Sequence, residues 1–477
     1  MSRARCVSRC ALACAVVLSA PRALAQDRAA PVSRTASALA TLEPRFAHAA
    51  LIVPLQGEAS VHVAGRLDAE TPFSTWHLVP LGTATCFLLD AALARALAAG
   101  TLKLSSPVLH GEAPQTRVVR LGELDACFNA RPLALPGYAR FVRDPRSLRP
   151  VAELVAAHAF PLDRRARFDD SSALQVAIAQ LALERATGQA WHTQLAAVAA
   201  ELGMGSAFDL TRAWPARSVA AGHRADGREF PVRIAEVPAF GNAACSVTDL
   251  AVLARHALRS VLEENAAAPA TARRFRRVTP PPLLSEFLSF SSSWCGTTLE
   301  IDLAPELRTA LVVFGARPRG DWSDRLRRAM LAELCGPSPD RIVAVDAEPE
   351  FAAAPERPFV GRYRGSLRFE GSPVELEIAP SADGGTLAPV DPARAGGPPR
   401  TLCAGDSGWT ASLPLPLVRG SPLASRIQLD IPAPAEDGAE IAAVAWLERL
   451  TSDGIRIELL PQRVRFRRVG NGRGAGR

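Results

Sequence analysis

Residues 82–108 read GTATCFLLDAALARALAAGTLKLSSPV, and their reading decides the fold. Between Ala84 and Ala99, the apolar residues Leu88, Leu89, Ala92, Leu93, Ala96 and Leu97 recur at helical spacing. That pattern predicts a buried helix over 84–99, and Gly100 ends it. A leucine-paced turn ending in Ser105-Ser106-Pro107-Val108 follows.

Outward from this helix, residues 50–55 and 59–66 read as a hairpin around Gln56-Gly57-Glu58. Residues 109–147 are rich in Pro, Arg and turn formers. Helices are expected near 149–159, 171–186, 189–203 and 247–264, the last with Leu250, Val252, Leu253 and Leu258 on its apolar face. After Pro280-Pro281-Pro282 the period changes to strand, with a second hairpin over 297–303 and 309–314 and a closing amphipathic helix over 321–334. Early strands, a helical middle and late strands capped by a helix imply an α+β domain over 41–335, its antiparallel sheet closed by both chain ends. A Pro- and Ala-rich linker is expected over 336–358. Short strand-like runs at 366–369, 374–378, 427–431, 441–447, 455–459 and 464–469 imply a small all-β barrel over 359–469. Residues 26–40 are read as a disordered lead and 470–477 as a flexible tail.

Composition bounds the possible functions. The chain has 477 residues, 48% hydrophobic and 22% charged, which suits two globular domains. Residues 1–25 have a basic start, a ten-residue apolar run and Ala23-Leu24-Ala25 before Gln26, the layout of a secretory signal. Export to a periplasm or the cell exterior is therefore expected. That apolar run is too short to span a bilayer, and no transmembrane span is expected. Residues 1–25 carry four Arg and no acid, so the formal charge falls from +7 to +3 without them, and nucleic-acid binding gains no support. Six cysteines remain: Cys86, Cys127, Cys245, Cys295, Cys335 and Cys403. Their number allows disulfides in an oxidising compartment, but the pairing is open. No C-x-x-C pair occurs, so neither a metal nor a cofactor is expected. Lys103 is the only lysine in the chain.

The order of elements resembles the serine β-lactamase and penicillin-binding superfamily, in its β-lactamase-related, class C-like serine hydrolase branch, over residues 45–335. Val79-Pro80-Leu81-Gly82-Thr83, the following helix and GTLKLSSPV look like that family's nucleophile segment. Gln175 to Gly188 with Leu202-Gly203-Met204, Gly241 to Leu250, and Trp294 to Val313 look like three further family stretches. The segment opening on Phe359-Val360-Gly361-Arg362-Tyr363 is similar to the small lipocalin-like barrel appended to many such proteins. The resemblance implies a β-lactamase/transpeptidase-like domain with a helical subdomain.

It also implies three catalytic motifs, all of which have degenerated. The S-x-x-K motif places a Lys one helical turn past the Ser to take its proton. Here Thr83 stands in the Ser place and Cys86 in the Lys place. At the Y-x-N place stand Phe168, Asp169 and Asp170. At the K-T-G place stand Leu288, Ser289 and Phe290, and no Lys, Arg or His occurs between Val278 and Leu307.

Other candidate sites compete with these. Cys86 as a thiol nucleophile needs a nearby base, with His77, His158 and His223 as candidates. Cys403-Ala404-Gly405-Asp406-Ser407-Gly408 resembles the nucleophile loop of trypsin-like proteases, but reads more simply as a turn between strands. Arg273-Arg274 and Arg276-Arg277 read as a solvated charge run. The expectation is an exported pseudoenzyme with a binding, structural or regulatory role at the cell envelope, its partner an envelope ligand or protein that the sequence does not name. The alternative is a hydrolase of ester, amide or D-amino-acid peptide bonds working through Thr83 or Cys86.

Overall fold

The structure is a computed structural model. It describes residues 33–109, 119–123, 138–142, 144–159, 173–212, 218–224, 226–230, 233–263, 274–277, 284, 286–335, 362–369, 372–379, 386–390, 400–401, 403–405, 408–415, 424–432, 440–450 and 456–469.

The first part of the chain runs α1 (Arg34–Ala40), β1 (His48–Pro54), β2 (Ser60–Ala64), β3 (Leu78–Pro80), α2 (Thr85–Ala98), β4 (Pro107–Leu109), β5 (Val119–Arg120) and β6 (Ala139–Val142). The helical middle holds α3 (Val151–His158), α4 (Ala173–Thr187) and α5 (Trp191–Leu202). Then come β7 (Phe208–Asp209), β8 (Ile234–Ala235), α6 (Pro238–Gly241), β9 (Ala243–Ser246) and α7 (Val247–Leu262). The domain closes with β10 (Arg276–Arg277), β11 (Leu288–Trp294), β12 (Thr297–Ala304), β13 (Thr309–Gly315) and α8 (Asp321–Cys335). The expected helix over 84–99 is α2, and both expected hairpins are present.

Six strands form one antiparallel sheet in the order β10-β11-β12-β13-β1-β2, so the two chain ends of the domain meet at the β13–β1 pairing. Both faces are covered, and strand parity decides which residue goes where. Ala49, Leu51, Val53, Val312 and Phe314 point to the main core with α2 and α7. Ala50, Ile52, Leu311 and Val313 point the other way, onto Leu39 of α1 and Trp322, Leu326 and Met330 of α8. The same alternation sends Glu300 and Asp302 of β12 toward α8. There the buried Arg327 holds Asp302 with Nε at 2.6 Å and Nη2 at 2.8 Å.

Four expectations change. The disordered lead expected through residue 40 contains α1. Ser33 caps it, and the Glu333 carboxylate of α8 accepts from Thr35 and Ser33 at 2.7 and 2.9 Å. Arg274 is not part of a solvated run: it forms a bidentate pair with Asp90 of α2, at 2.6 and 2.7 Å. Residues 455–459 and 464–469 are not two strands, because one strand runs through Pro461. The fourth is the closure of the C-terminal barrel, which the described residues do not show.

The second part of the chain is β14 (Tyr363–Phe369), β15 (Ser372–Ala379), β16 (Thr386–Pro389), β17 (Arg400–Thr401), β18 (Cys403–Gly405), β19 (Gly408–Leu415), β20 (Ala424–Pro432), β21 (Glu440–Leu450) and β22 (Arg456–Arg468). They pair in an open path, β17-β16-β15-β14-β22-β21-β20-β19-β18. No ladder joins the two end strands among the described residues. Residue 402 alone separates them in sequence, so covalent connection brings the two edges together. The path has its own apolar cluster, which includes Tyr363, Leu376, Ile427, Ile441 and Phe466. It is also joined to the first domain, because β22 pairs with β6 (Glu458 opposite Arg140) and β6 pairs with β8. No helix among the described residues is long and apolar enough to cross a membrane.

Candidate functional site

Thr83 sits in a tight turn, Gly82–Ala84, between β3 and α2. Leu81 N–H anchors the turn to Ala243 O at 2.9 Å. Gly82 has φ +53°, and a Cβ there would lie 2.5 Å from Ser292 Oγ and 2.8 Å from Trp294 Cβ, so the turn requires glycine. The Thr83 N–H donates to Ser292 Oγ at 2.9 Å. The Ser292 hydroxyl in turn donates to Leu81 O at 3.3 Å. Cys86 is 3% exposed, and its thiol points to Ala239 O at 3.8 Å.

Parity along β11 sorts the strand that faces this turn. Ser289 lies on the α8 face, where its hydroxyl accepts from Arg327 Nη2 at 3.2 Å. Leu288, Phe290, Ser292 and Trp294 lie on the opposite face. Leu288 is buried in the main core. Phe290 meets Phe87 with ring centres 4.7 Å apart and Phe275 at 5.9 Å, and Phe87 stacks on Phe275 at 5.5 Å. The β11 residues that touch the Thr83 turn are therefore Ser292 and Trp294, further along than Leu288-Ser289-Phe290. The Trp294 ring lies so close to Gly241 that a Cβ on residue 241 would meet it at 2.0 Å. Phe141 packs on the same ring edge to face, with centres 5.0 Å apart. Phe168, Asp169 and Asp170 lie outside the described residues.

Among the described residues no hydrogen bond to the Thr83 hydroxyl is formed and no proton acceptor is assembled beside it. Lys103 is exposed beyond the far end of α2, and the helix's 14 residues span about 21 Å. The candidate histidines are engaged elsewhere. His77 Nδ1 accepts from the Ser74 N–H at 2.9 Å, His223 Nδ1 lies 2.7 Å from Ala316 O, and the His158 ring faces Tyr138. Burial, with Asp249 adding to it, pushes the Cys245 thiol well up, and burial pushes Cys295 up to about 12. Cys86, Cys245, Cys295 and Cys335 form no disulfide among the described residues. Cys127, Asp406 and Ser407 lie outside them. Gly405 pairs with Gly408, so the protease-like stretch is a hairpin tip. No cluster of three or more metal-ligating side chains occurs among the described residues.

Sequence reading missed a charged cluster just ahead of α6. Glu236 is 1% exposed, and it receives Arg149 Nε at 2.7 Å, Arg149 Nη2 at 2.9 Å, Arg140 Nη1 at 2.9 Å and the Tyr138 hydroxyl. Burial raises the Glu236 carboxyl, but the Arg149 and Tyr138 hydrogen bonds outweigh it and hold the group below the usual range. Burial and the neighbouring Glu236 drive the Tyr138 phenol far up. The available signal was a lone Glu between Ala235 and Val237 in an apolar run.

No protein-family model matches the chain, and no curated protein sequence matches it. Solved structures do. SurE with D-Leu aligns over 90% of this chain and 98% of its own, at 16% identity and TM-score 0.52, which shows a shared overall fold. Two weaker likenesses are the D-amino acid amidase from Ochrobactrum anthropi SV3 complexed with D-phenylalanine and a class C beta lactamase from Rhodobacter sphaeroides. The amidase aligns over 62% of this chain and 98% of its own, at 15% identity and TM-score 0.48. The lactamase aligns over 63% and 99%, at 15% identity and TM-score 0.47. The antiparallel sheet covered by helices is consistent with the β-lactamase-like fold that the sequence motifs imply.

Proposed function

We propose that this is an exported β-lactamase-related protein whose acyl-transfer site is silent and whose role at the cell envelope is binding, structural or regulatory. The observation that carries this reading is the Thr83–Ser292 hydrogen bond. In serine-type acyl transfer, backbone N–H groups at the nucleophile receive the developing oxyanion, and losing one such donor costs about 2.7–4 kcal/mol. Here the N–H at the nucleophile position already has an acceptor from its own chain. The place of the proton-accepting amine is held by a buried thiol, and the chain's single lysine lies a helix length away. Three deficits at one place make transfer through Thr83 far slower than in a working hydrolase. The absence of S-x-x-K from the chain, and of any Lys, Arg or His between Val278 and Leu307, agrees with this reading.

A working ester, amide or D-amino-acid peptide hydrolase with an atypical nucleophile is the competing reading. Intact-protein mass spectrometry separates the two, after exposure to a fluorescent penicillin, a fluorophosphonate and iodoacetamide. The comparison is a Thr83→Ala, Cys86→Ala double variant. The silent site forms no penicillin or phosphonate adduct. An adduct that the double variant loses would overturn the proposal.

A further inference from the structure

A cavity of about 340 Å³ lies in the helical part of the first domain, on the far side of α6 from the Thr83 turn. The partition is explicit: Ala239 O faces the Cys86 thiol, while Ala239 N–H donates at 3.0 Å to Gln180, a cavity-wall residue. None of Thr83, Cys86, Ser292 or Trp294 lines the cavity.

Its wall has two chemical ends. On the donor side, α3 and α5 both begin at the cavity, and neither N-cap residue (Pro150, Ala190) supplies a side-chain acceptor. Two helix N-termini thus turn partial positive charge toward one space. Arg149 stands beside them, its guanidinium oriented by Glu236. Trp191 is 2% exposed, and its buried indole N–H has no acceptor among the described residues. A buried donor without a partner is costly, and a ligand oxygen would relieve it. On the acceptor side, Asp209 is 7% exposed. Its Oδ1 accepts the Thr211 N–H at 2.9 Å, and the Thr211 side chain hydrogen-bonds the carboxylate as well. Glu184 also lines the wall, but its carboxylate is engaged by the Trp191 N–H at 2.9 Å and by Gln180 at 3.0 Å.

We propose that this cavity binds a small zwitterion of the free α-amino-acid class, its carboxylate received by Arg149 and the Trp191 indole N–H and its ammonium by Asp209. A simple anion fits less well, because the Asp209 carboxylate would repel it. A simple cation would meet Arg149 and two helix N-termini. The volume suits a ligand of this size. The inference does not depend on whether the Thr83 turn is silent, since the two sites share no wall residue.

The test is calorimetric titration of the full chain with leucine of either hand, N-acetyl-leucine (no ammonium) and leucinamide (no carboxylate). In parallel, the Trp191 indole N–H resonance, assigned with Trp191→Phe, is followed by NMR. The expected result is saturable leucine binding that moves the Trp191 signal downfield, with both capped analogues at least about tenfold weaker. Asp209→Asn keeps an acceptor for Thr211 and is expected to abolish the preference for leucine over N-acetyl-leucine. No saturable binding, binding that leaves the Trp191 signal in place, or N-acetyl-leucine binding as tightly as leucine would each overturn the proposal. Should Asp209→Asn fail to fold, the analogue series and the Trp191 signal in the unaltered protein decide it.

Discussion

The backbone N–H of Thr83 donates to the hydroxyl of Ser292 at 2.9 Å, tying the start of α2 to a strand 209 residues later. Strand parity and a glycine at 82 make this contact possible, and it occupies the amide an acyl-transfer site would leave open. Ser292→Ala removes the acceptor without adding bulk. The expected cost is about 1–3 kcal/mol, because the bonds to the Thr83 N–H and to Leu81 O are both lost. Urea denaturation checks this. Ser292→Ala is also expected to leave fluorophosphonate labelling absent, since no base is restored at Thr83. Labelling of this variant would show that the hydroxyl alone had silenced the site.

Trp294 and Gly241 share one space. Gly241→Ala drives a methyl into the indole and is expected to cost about 1–3 kcal/mol, the range for overpacking. Trp294→Ala leaves a cavity and is expected to cost about 3–5 kcal/mol. The double variant should be more stable than the sum of the two losses implies, because the new methyl then has room. Strict additivity in chemical denaturation would show that the two residues do not compete for that space.

Arg274 and Asp90 form a pair whose side chains are 18% and 4% exposed. Breaking it from one side takes the bidentate partner from a buried carboxylate: Arg274→Leu alone is expected to cost about 3 kcal/mol or more. Arg274→Leu with Asp90→Leu removes both charges and should recover most of that loss. Thermal unfolding of the three proteins reads the difference. A double variant no more stable than Arg274→Leu would mean that the lost packing of the pair, not the unmatched carboxylate, sets the cost.

Local order in this chain was legible where the hydrophobic period was long. The expected helix over 247–264 is α7 (Val247–Leu262), and the expected hairpin over 297–303 and 309–314 is β12 with β13. The register of β11 against the Thr83 turn was not legible, because Ser289 and Ser292 are chemically alike and only the packed sheet assigns them to opposite faces. Glu236 illustrates a second limit. Nothing near it in sequence neutralises it, and its partners Tyr138, Arg140 and Arg149 arrive from about ninety residues earlier. Arg274 was misread for the same reason, since its partner lies 184 residues away on α2. In the C-terminal sheet, short strands and turn residues suggested closure, yet closure depends on the pairing of two- and three-residue end strands that no local pattern specifies.

His48 offers a pH-dependent prediction. It lies fully buried on β1 between Phe46 and Trp322, and neither ring nitrogen has a hydrogen-bond partner among the described residues. Burial, with the nearby Arg317 charge adding to it, lowers its pKa from 6.5 to about 3. The folded state therefore keeps the ring neutral while the unfolded chain protonates it below pH 6.5. Stability from this group is fully present above that pH and is lost as pH falls toward 3, at up to about 1.4 kcal/mol per pH unit. Between pH 7.5 and 5 the medium stays above the ordinary carboxylate range, so histidines dominate the response, and comparison with a variant singles out His48. His48→Phe replaces the ring with one that cannot titrate. Guanidinium denaturation of both proteins across that range should show the variant gaining on the unaltered chain as pH drops. Curves that stay parallel would mean that the buried ring reaches water or an acceptor in solution.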